Sequence, residues 1–442
     1  MTAANGQNEF EQLSNTRRAL ALLALIVAGE SIFFLPFVLP RVFRPTILEV
    51  FGLTNYELGT AFACYGIVAM AAYALGGPLA DYFSPRKLLA TALVSTSLGG
   101  IFLWQTPSHA TLKMLYAYWG FTTIALFWAA LIRATRQWGG TLDQGSAFGL
   151  LDGGRGLLTA VTGSLVVALY AALLPDDVES ASLEVRTRAL QQVVLILASI
   201  TCFAAVLVWF LLPKRVVRER SNAPGWTFAG SWKIATMPTV WLQAIIIICA
   251  YVGFKATDDF SLYAKEVLQV DEVEAARVGT YSLWMRPIAA IAAGFLADRF
   301  GAGKMTAFSF VLLVAGSSVL ASNLLSASMY IPYILTIVCA SLGIFALRGL
   351  YYAIMEEGQV PLAYTGSAVG LVSVIGYTPD IFMGPLMGHL LDSSPGAVGH
   401  RHVFLVVMAF SVVGLMTSVV FVKLSRSIAR QPLTDGSGPT HR

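Results

Sequence analysis

Seven ionisable side chains interrupt long apolar stretches of this chain: Glu30, Asp152, Arg155, Lys255, Arg286, Arg348 and Asp380. A charge at the middle of a bilayer costs roughly 2.5–3.5 kcal/mol on insertion scales, so such groups face a cavity or one another. Arg286, in Ser282-Leu283-Trp284-Met285-Arg286-Pro287, has no acidic residue within a helical turn. Its guanidinium keeps its charge and offers a planar fork to a carboxylate or phosphate. It reads as a ligand for an anionic substrate, with an ion pair to Asp152, Glu30 or Asp380 of another helix as the alternative. Asp152 and Arg155 are three apart and can pair on one helix face. Lys255 and Asp380 are a second candidate pair, and Pro379 interrupts the helix beside Asp380. Arg348, with Tyr351 and Tyr352 just after it, is placed at the inner mouth of the cavity. The expected substrate-binding set is therefore Arg286, Lys255, Arg348, Arg155, Tyr351 and Asp380. Glu30, between Gly29 and Ser31, is the candidate for carrying a coupling proton; a hydrogen-bonded packing residue is the alternative.

The elements that must position these groups follow from composition. Of 442 residues, 56% are hydrophobic and 12% charged, with a mean hydropathy of +0.69. Soluble domains carry roughly 25% charged residues, so this is a polytopic membrane protein. A helix crossing the bilayer needs about 20 mostly apolar residues. Twelve such segments occur, near 19–39, 56–79, 87–105, 110–132, 146–173, 190–212, 239–256, 276–297, 305–324, 329–352, 366–391 and 402–424. They are numbered span 1 to span 12 below. Helices are required because unpaired backbone groups are too costly in hydrocarbon. The expectation is an all-α fold of two six-helix bundles, 1–213 and 239–442, joined by a linker at 214–238 that holds Arg215, Arg218, Arg220, Pro224 and Gly225. With both termini inside, the cytoplasmic segments hold 17 basic residues and the outer ones 8, Arg41 and Arg44 among them. That imbalance favours a multi-pass inner (plasma) membrane protein with both termini cytoplasmic. Met1 to Ser14 lacks the basic region of a cleaved signal, so span 1 is expected to stay as a helix. The four cysteines lie in apolar runs without metal-ligand spacing and read as packing residues.

Two short segments recur half the chain apart. Gly77-Pro78-Leu79-Ala80-Asp81 returns 217 residues later as Gly294-Phe295-Leu296-Ala297-Asp298. Gly145-Ser146-Ala147-Phe148-Gly149-Leu150 returns after 221 residues as Gly366-Ser367-Ala368-Val369-Gly370-Leu371. Internal repetition in an apolar chain is the build of a secondary transporter. The first repeat has a glycine for close helix approach and an aspartate that can accept from a neighbouring helix N-terminus. A basic cluster follows: Arg86 and Lys87, or Arg299 and Lys304. The expected gate is thus Gly77, Asp81, Arg86, Gly294, Asp298 and Arg299. The second repeat puts small residues on one face of spans 5 and 11 for packing.

Over essentially its whole length the chain resembles the major facilitator superfamily. The second copy keeps the loop signature of that family at Gly294, Leu296, Ala297, Asp298, Arg299, Gly301 and Lys304; the first departs from it at Tyr82 and Ser84. The resemblance implies twelve helices, alternating access between two pseudo-symmetric bundles, and a lining of spans 1, 4, 7 and 10 completed by 2, 5, 8 and 11. It is similar to bacterial anion and sugar-phosphate permeases of that superfamily. No P-loop, metal cluster or nucleophile elbow appears, so neither ATP-driven transport nor enzymatic activity is expected, and no cofactor. Four buried bases against three buried acids suit a small organic anion, a carboxylate or sugar phosphate, moved with a coupling ion (a proton) or by exchange. The expected partners are that substrate, the coupling ion and the lipid bilayer, not nucleic acid, with the chain a monomer. The rival expectations are an exporter of drugs or metabolites and a membrane sensor or receptor on a transporter fold, against which the short loops and termini speak.

Overall fold

The computed structural model describes residues 10, 13–139, 144–214, 234–322, 324–326, 328–360 and 365–430. Among the described residues every regular element is helical. Ten helical stretches are long and apolar enough to cross a bilayer. The other two expected spans, 2 and 8, coincide with helices of 28 and 29 residues, Asn55–Tyr82 and Glu272–Phe300. Of the expected joint, residues 215–233 lie outside the described residues.

Local sequence explains where the important spans start and break. Span 2 starts at a capping box in which Thr54 Oγ1 accepts from Glu57 N–H and Glu57 accepts from Thr54 N–H. Span 8 starts under Asp271, which accepts from Glu274 N–H at 2.8 Å, and ends at Gly301, whose φ of +96° suits only glycine. Span 1 runs from Asn15 to Val42 and widens into π-helix at Phe34–Val38, around Pro36, which lacks the N–H of a regular turn. Span 11 is two helices, Thr365–Gly376 and Pro379–Ser393, broken at Pro379 as the sequence predicts.

Two expectations are corrected. Span 7 does not end at 256: after a 3₁₀ turn at Ala256–Asp259 it continues to Glu266. The adjacent carboxylates of Asp258 and Asp259 read as a loop, yet both are buried, because each has a buried basic partner from elsewhere. Asp258 faces Arg41 and Asp259 faces His400 at 2.7 Å. Arg41, expected in an outer loop, is buried for the complementary reason; Arg44, expected there too, is buried against a neutral amide, donating to Asn55 Oδ1 at 2.9 Å.

The seam between the two sets of spans is closed at one end only. Spans 2 and 11 touch backbone to backbone at the end away from the linker: a Cβ on Gly59 would lie 2.2 Å from Gly384 O, and one on Gly388 2.4 Å from Asn55 O. At this far end Asp392 of span 11 also accepts from Asn55 N–H and Tyr56 N–H, at 3.0 and 2.8 Å. Toward the linker end the repeat glycines Gly77, Gly149, Gly294 and Gly370 have no atom within 4 Å of an added Cβ. The result is a cleft open at the linker end. Gly388→Val should therefore destabilise the fold by about 1–3 kcal/mol, the usual cost of overpacking. Gly77→Val should leave it unchanged. Thermal unfolding of the detergent-solubilised variants measures both.

Candidate functional site

The cleft narrows into a cavity at mid-depth. Its lining includes nine aromatic rings, Phe33, Phe37, Tyr65, Tyr73, Trp128, Tyr251, Phe254, Phe345 and Tyr377. Five cations, Arg41, Arg155, Lys255, Arg286 and Arg348, share it with two carboxylates, Glu30 and Asp380. Two helix irregularities border it, the π-segment of span 1 and another at Thr122–Trp128 in span 4. Such segments turn side chains away from regular helical spacing and recur at functional sites.

The charges fall into two networks. In the first, Glu30 of span 1 is held from three sides. Arg155 Nε donates to Glu30 Oε2 at 3.1 Å and to Gly29 O at 3.0 Å. Arg286 Nη1 donates to Glu30 Oε1 at 2.9 Å, and the Thr159 hydroxyl makes a short contact to the same oxygen. Arg286 Nη2 also reaches Asp152 Oδ1 at 3.3 Å, and Asp152 stands 3.6 Å from Arg155. The alternative set out for Arg286 is thus realised with two of the three named acids. Glu30, the candidate proton carrier, thus lies between two guanidiniums; its sequence neighbours Gly29 and Ser31 carry no charge, and its partners come from spans 5 and 8.

The second network crosses the seam. Arg41 Nε of span 1 donates to Asp258 Oδ1 of span 7 at 2.7 Å. Lys255 Nζ lies 3.4 Å from Asp258 and 3.5 Å from Asp380, with the rings of Phe37 and Phe62 at 5.2 and 5.3 Å. Asp380 accepts from the Tyr251 hydroxyl at 3.0 Å. The Lys255–Asp380 contact is the pair that the sequence offered. Arg41 and Asp258 were missed as site residues, and one signal was available: they are opposite charges 217 residues apart, the offset of the first repeat.

Arg348 belongs to neither network. Its guanidinium sits 3.9 Å above the centre of the Phe254 ring and 6.0 Å from that of Tyr251. Among the described residues no carboxylate lies within ion-pair distance of it. Arg41 approaches the same Phe254 ring at 4.7 Å. Tyr351 does not line the cavity; it stands behind Tyr377, hydroxyl to hydroxyl at 3.3 Å, with Tyr352 bridging Tyr377 and Ser373.

The expected gate residues lie outside the cavity, toward the linker end. Gly77, Gly294, Asp298 and Arg299 are exposed, and the Arg299 guanidinium rests 5.4 Å over Phe300. Arg86 stacks on Trp209 at 4.5 Å. The Asp81 side chain lies outside the described residues. Glu357 accepts from Gly303 N–H at 3.1 Å, a carboxylate on the first turn of span 9.

Comparison with known proteins agrees with this architecture. The chain is 26% identical over 424 residues to the inner membrane protein YqcE of Escherichia coli (strain K12), covering 93% of this chain and 97% of that one. It is 25% identical to YihN of the same organism, covering 92% and 96%. Among solved structures, a bacterial homologue of the human lysosomal transporter Spinster, inward-facing and unoccupied, superposes with a TM-score of 0.70 at 16% identity, over 94% of this chain and 99% of that one. The nucleoside transporter NupG gives 0.70 at 13% identity, over 93% and 100%. The family model of the Major Facilitator Superfamily matches residues 20–377, and this chain belongs to that superfamily, a membrane transporter and not an enzyme.

Proposed function

We propose that this protein moves a small organic anion across the inner membrane by alternating access, in the state described here open to the cytoplasm at its linker end. The observation that carries the reading is Arg348, a cavity cation with no carboxylate partner among the described residues. Arg41, Arg155, Lys255 and Arg286 each face a carboxylate, so five cations stand against Glu30, Asp152, Asp258 and Asp380. A surplus of one positive charge in a low-dielectric cavity matches a substrate bearing one negative group. A carboxylate, phosphate or sugar-acid group would take the planar fork of Arg348, with the rings as walls for its carbon skeleton.

Arg286 is the second ligand in this reading. It is the cation through which span 8 reaches Glu30 of span 1, so a substrate anion that takes Arg286 competes with Glu30 for it. Glu30 then acts as the resident counter-ion that occupies the site between cycles. The inner-membrane location is supported by the two E. coli relatives, both inner membrane proteins. Accumulation against a gradient would draw on the proton gradient or on exchange.

The nine rings favour a second reading, export of apolar compounds. A drug-susceptibility assay in a sensitive host separates the two, because the anion reading expects no change in resistance on expression.

Proteoliposomes screened with a panel of carboxylates, phosphates and sugar acids test the anion reading. For the anion that wild-type protein accumulates, Arg348→Gln should weaken binding about 10- to 100-fold, the worth of a charge-assisted hydrogen bond. Arg348→Lys should lose less. Wild-type affinity in a well-folded Arg348→Gln protein would end the reading. Glu30→Gln should act in the opposite direction, tightening binding and slowing release, since the competing anion is gone. Equilibrium binding and efflux rates on the same preparation measure both.

A further inference from the structure

We propose that Arg41, Asp258 and Lys255 form a relay that loads a proton onto Asp380 when the far end of the seam opens. The inference rests on the alternating-access part of the function proposed above, and not on the charge of the substrate.

The relay begins with a contact that cannot survive opening. Arg41 belongs to span 1 and Asp258 to span 7, on opposite sides of the seam, and they meet at 2.7 Å with both side chains buried. Ser261 Oγ donates to Arg41 O at 3.0 Å beside them. Separating the far ends of these spans pulls Arg41 away. Arg44, the other cation acting on Asp258, lies on the same side of the seam as Arg41 and leaves with it. Asp258 then keeps one cationic partner, Lys255, which already lies 3.4 Å away on the preceding turn of its own span. A buried carboxylate that has lost its guanidinium draws the ammonium toward itself, because the alternative is an uncompensated buried charge.

Lys255 cannot serve two carboxylates equally. It now stands almost midway, 3.4 Å from Asp258 and 3.5 Å from Asp380. Its movement toward Asp258 leaves Asp380 without a cation. The groups facing Asp380 are then Tyr251 of span 7, which donates at 3.0 Å, the backbone of Gly66 with Tyr65 and Tyr73 on span 2, and Tyr377 on its own span. None of them carries a positive charge. A carboxylate so placed takes a proton from the water admitted at the far end. When the far end closes, Arg41 reclaims Asp258, Lys255 returns to Asp380, and the proton leaves toward the open linker end. One proton is carried inward for each cycle.

The two partners of the Arg41–Asp258 pair make a test that a merely structural role would fail. Removing Arg41 releases Asp258 to compete for Lys255. Removing Asp258 leaves Lys255 to Asp380 alone. Both changes break the same contact, yet the relay predicts opposite effects. The measurement is infrared difference spectroscopy of the purified full-length protein in lipid, following the band of a protonated carboxyl group as pH is lowered. In Arg41→Gln that band should appear about 1 pH unit or more above its wild-type position, the effect of losing an opposite charge at ion-pair distance. In Asp258→Asn it should move to lower pH. Asp380→Asn, alone or with Arg41→Gln, should abolish it. Arg41→Lys, which keeps a cation for Asp258, should leave the band near its wild-type position, and it separates loss of the charge from loss of the fold. Shifts of the same sign in Arg41→Gln and Asp258→Asn, or a band that survives Asp380→Asn, would overturn the relay. The experiment uses no substrate, so its failure leaves the anion reading standing.

Discussion

Arg41 and Asp258 pair with each other across the seam at a separation that the chain's own repetition also shows. They stand 217 residues apart, the offset of the first repeat. A position repeated about an axis meets its own copy only near that axis, so the shared offset fits a pair set between the two sets of spans. Much of the far end depends on it. The pair permits span 7 to run on to Glu266 past two adjacent carboxylates, and span 1 to bury an arginine three residues from its last turn of π-helix. It also closes the floor of the cavity, since Arg41 lines it from below Phe254. Partners from one bundle alone would not give this: a charge satisfied within its own half would leave the halves indifferent to one another. Asp392 on the first turn of span 2, and Arg186 of span 6 on Glu272 of span 8, extend the same principle along the far end.

Where the halves differ, the differences concentrate on the cavity. The offsets carry Glu30 onto Ile247 and Arg155 onto Gly376. In the first half these positions meet as an ion pair; in the second, an added Cβ on Gly376 would lie 2.3 Å from the Ile247 side chain. The same helix contact is thus made twice, once with charge and once with an alkyl group against a bare backbone. Thr159 and Asp380 are likewise equivalent, and each touches the ionised group of its own half, Glu30 or Lys255. Arg286 maps onto Ala69, which also lines the cavity and leaves room opposite the guanidinium. Repetition supplies the frame, and departures from it supply the chemistry.

This explains what the sequence made legible. Repeats, the apolar spans and the break at Pro379 are local patterns, and the structure has them. The Lys255–Asp380 pair was legible because few candidates remained for either group. The partner of Arg286 was not, since Glu30 lies 256 residues away and becomes a neighbour only through packing of spans 1 and 8. Arg348 and Arg286 read alike in sequence, each an arginine in an apolar span, and only the paired carboxylates distinguish them. Asp258 and Asp259 read as a loop because a local pattern cannot include a partner on another helix. Equal offsets could have located Arg41 and Asp258, since they stand 217 residues apart.

On the reading proposed above, the unpaired cation also accounts for why an empty carrier would not leak. Closing the linker end brings the open faces around Gly77, Gly149, Gly294 and Gly370 together and removes water from the cavity. Arg348, which has Asp152 within electrostatic reach but no carboxylate in contact, would then be buried under-compensated, at a cost of up to about 2.5–3.5 kcal/mol. That penalty holds the empty, closed state up to about two orders of magnitude below its neutralised counterpart. A bound anion removes the penalty, so closure follows binding. Glu30 and the other carboxylates cannot substitute for it, because each already answers to a cation of its own, and lending one to Arg348 would only move the bare charge elsewhere. On this reading coupling requires no moving lid; it follows from the charge that Arg348 brings to a closed cavity and that a bound anion answers.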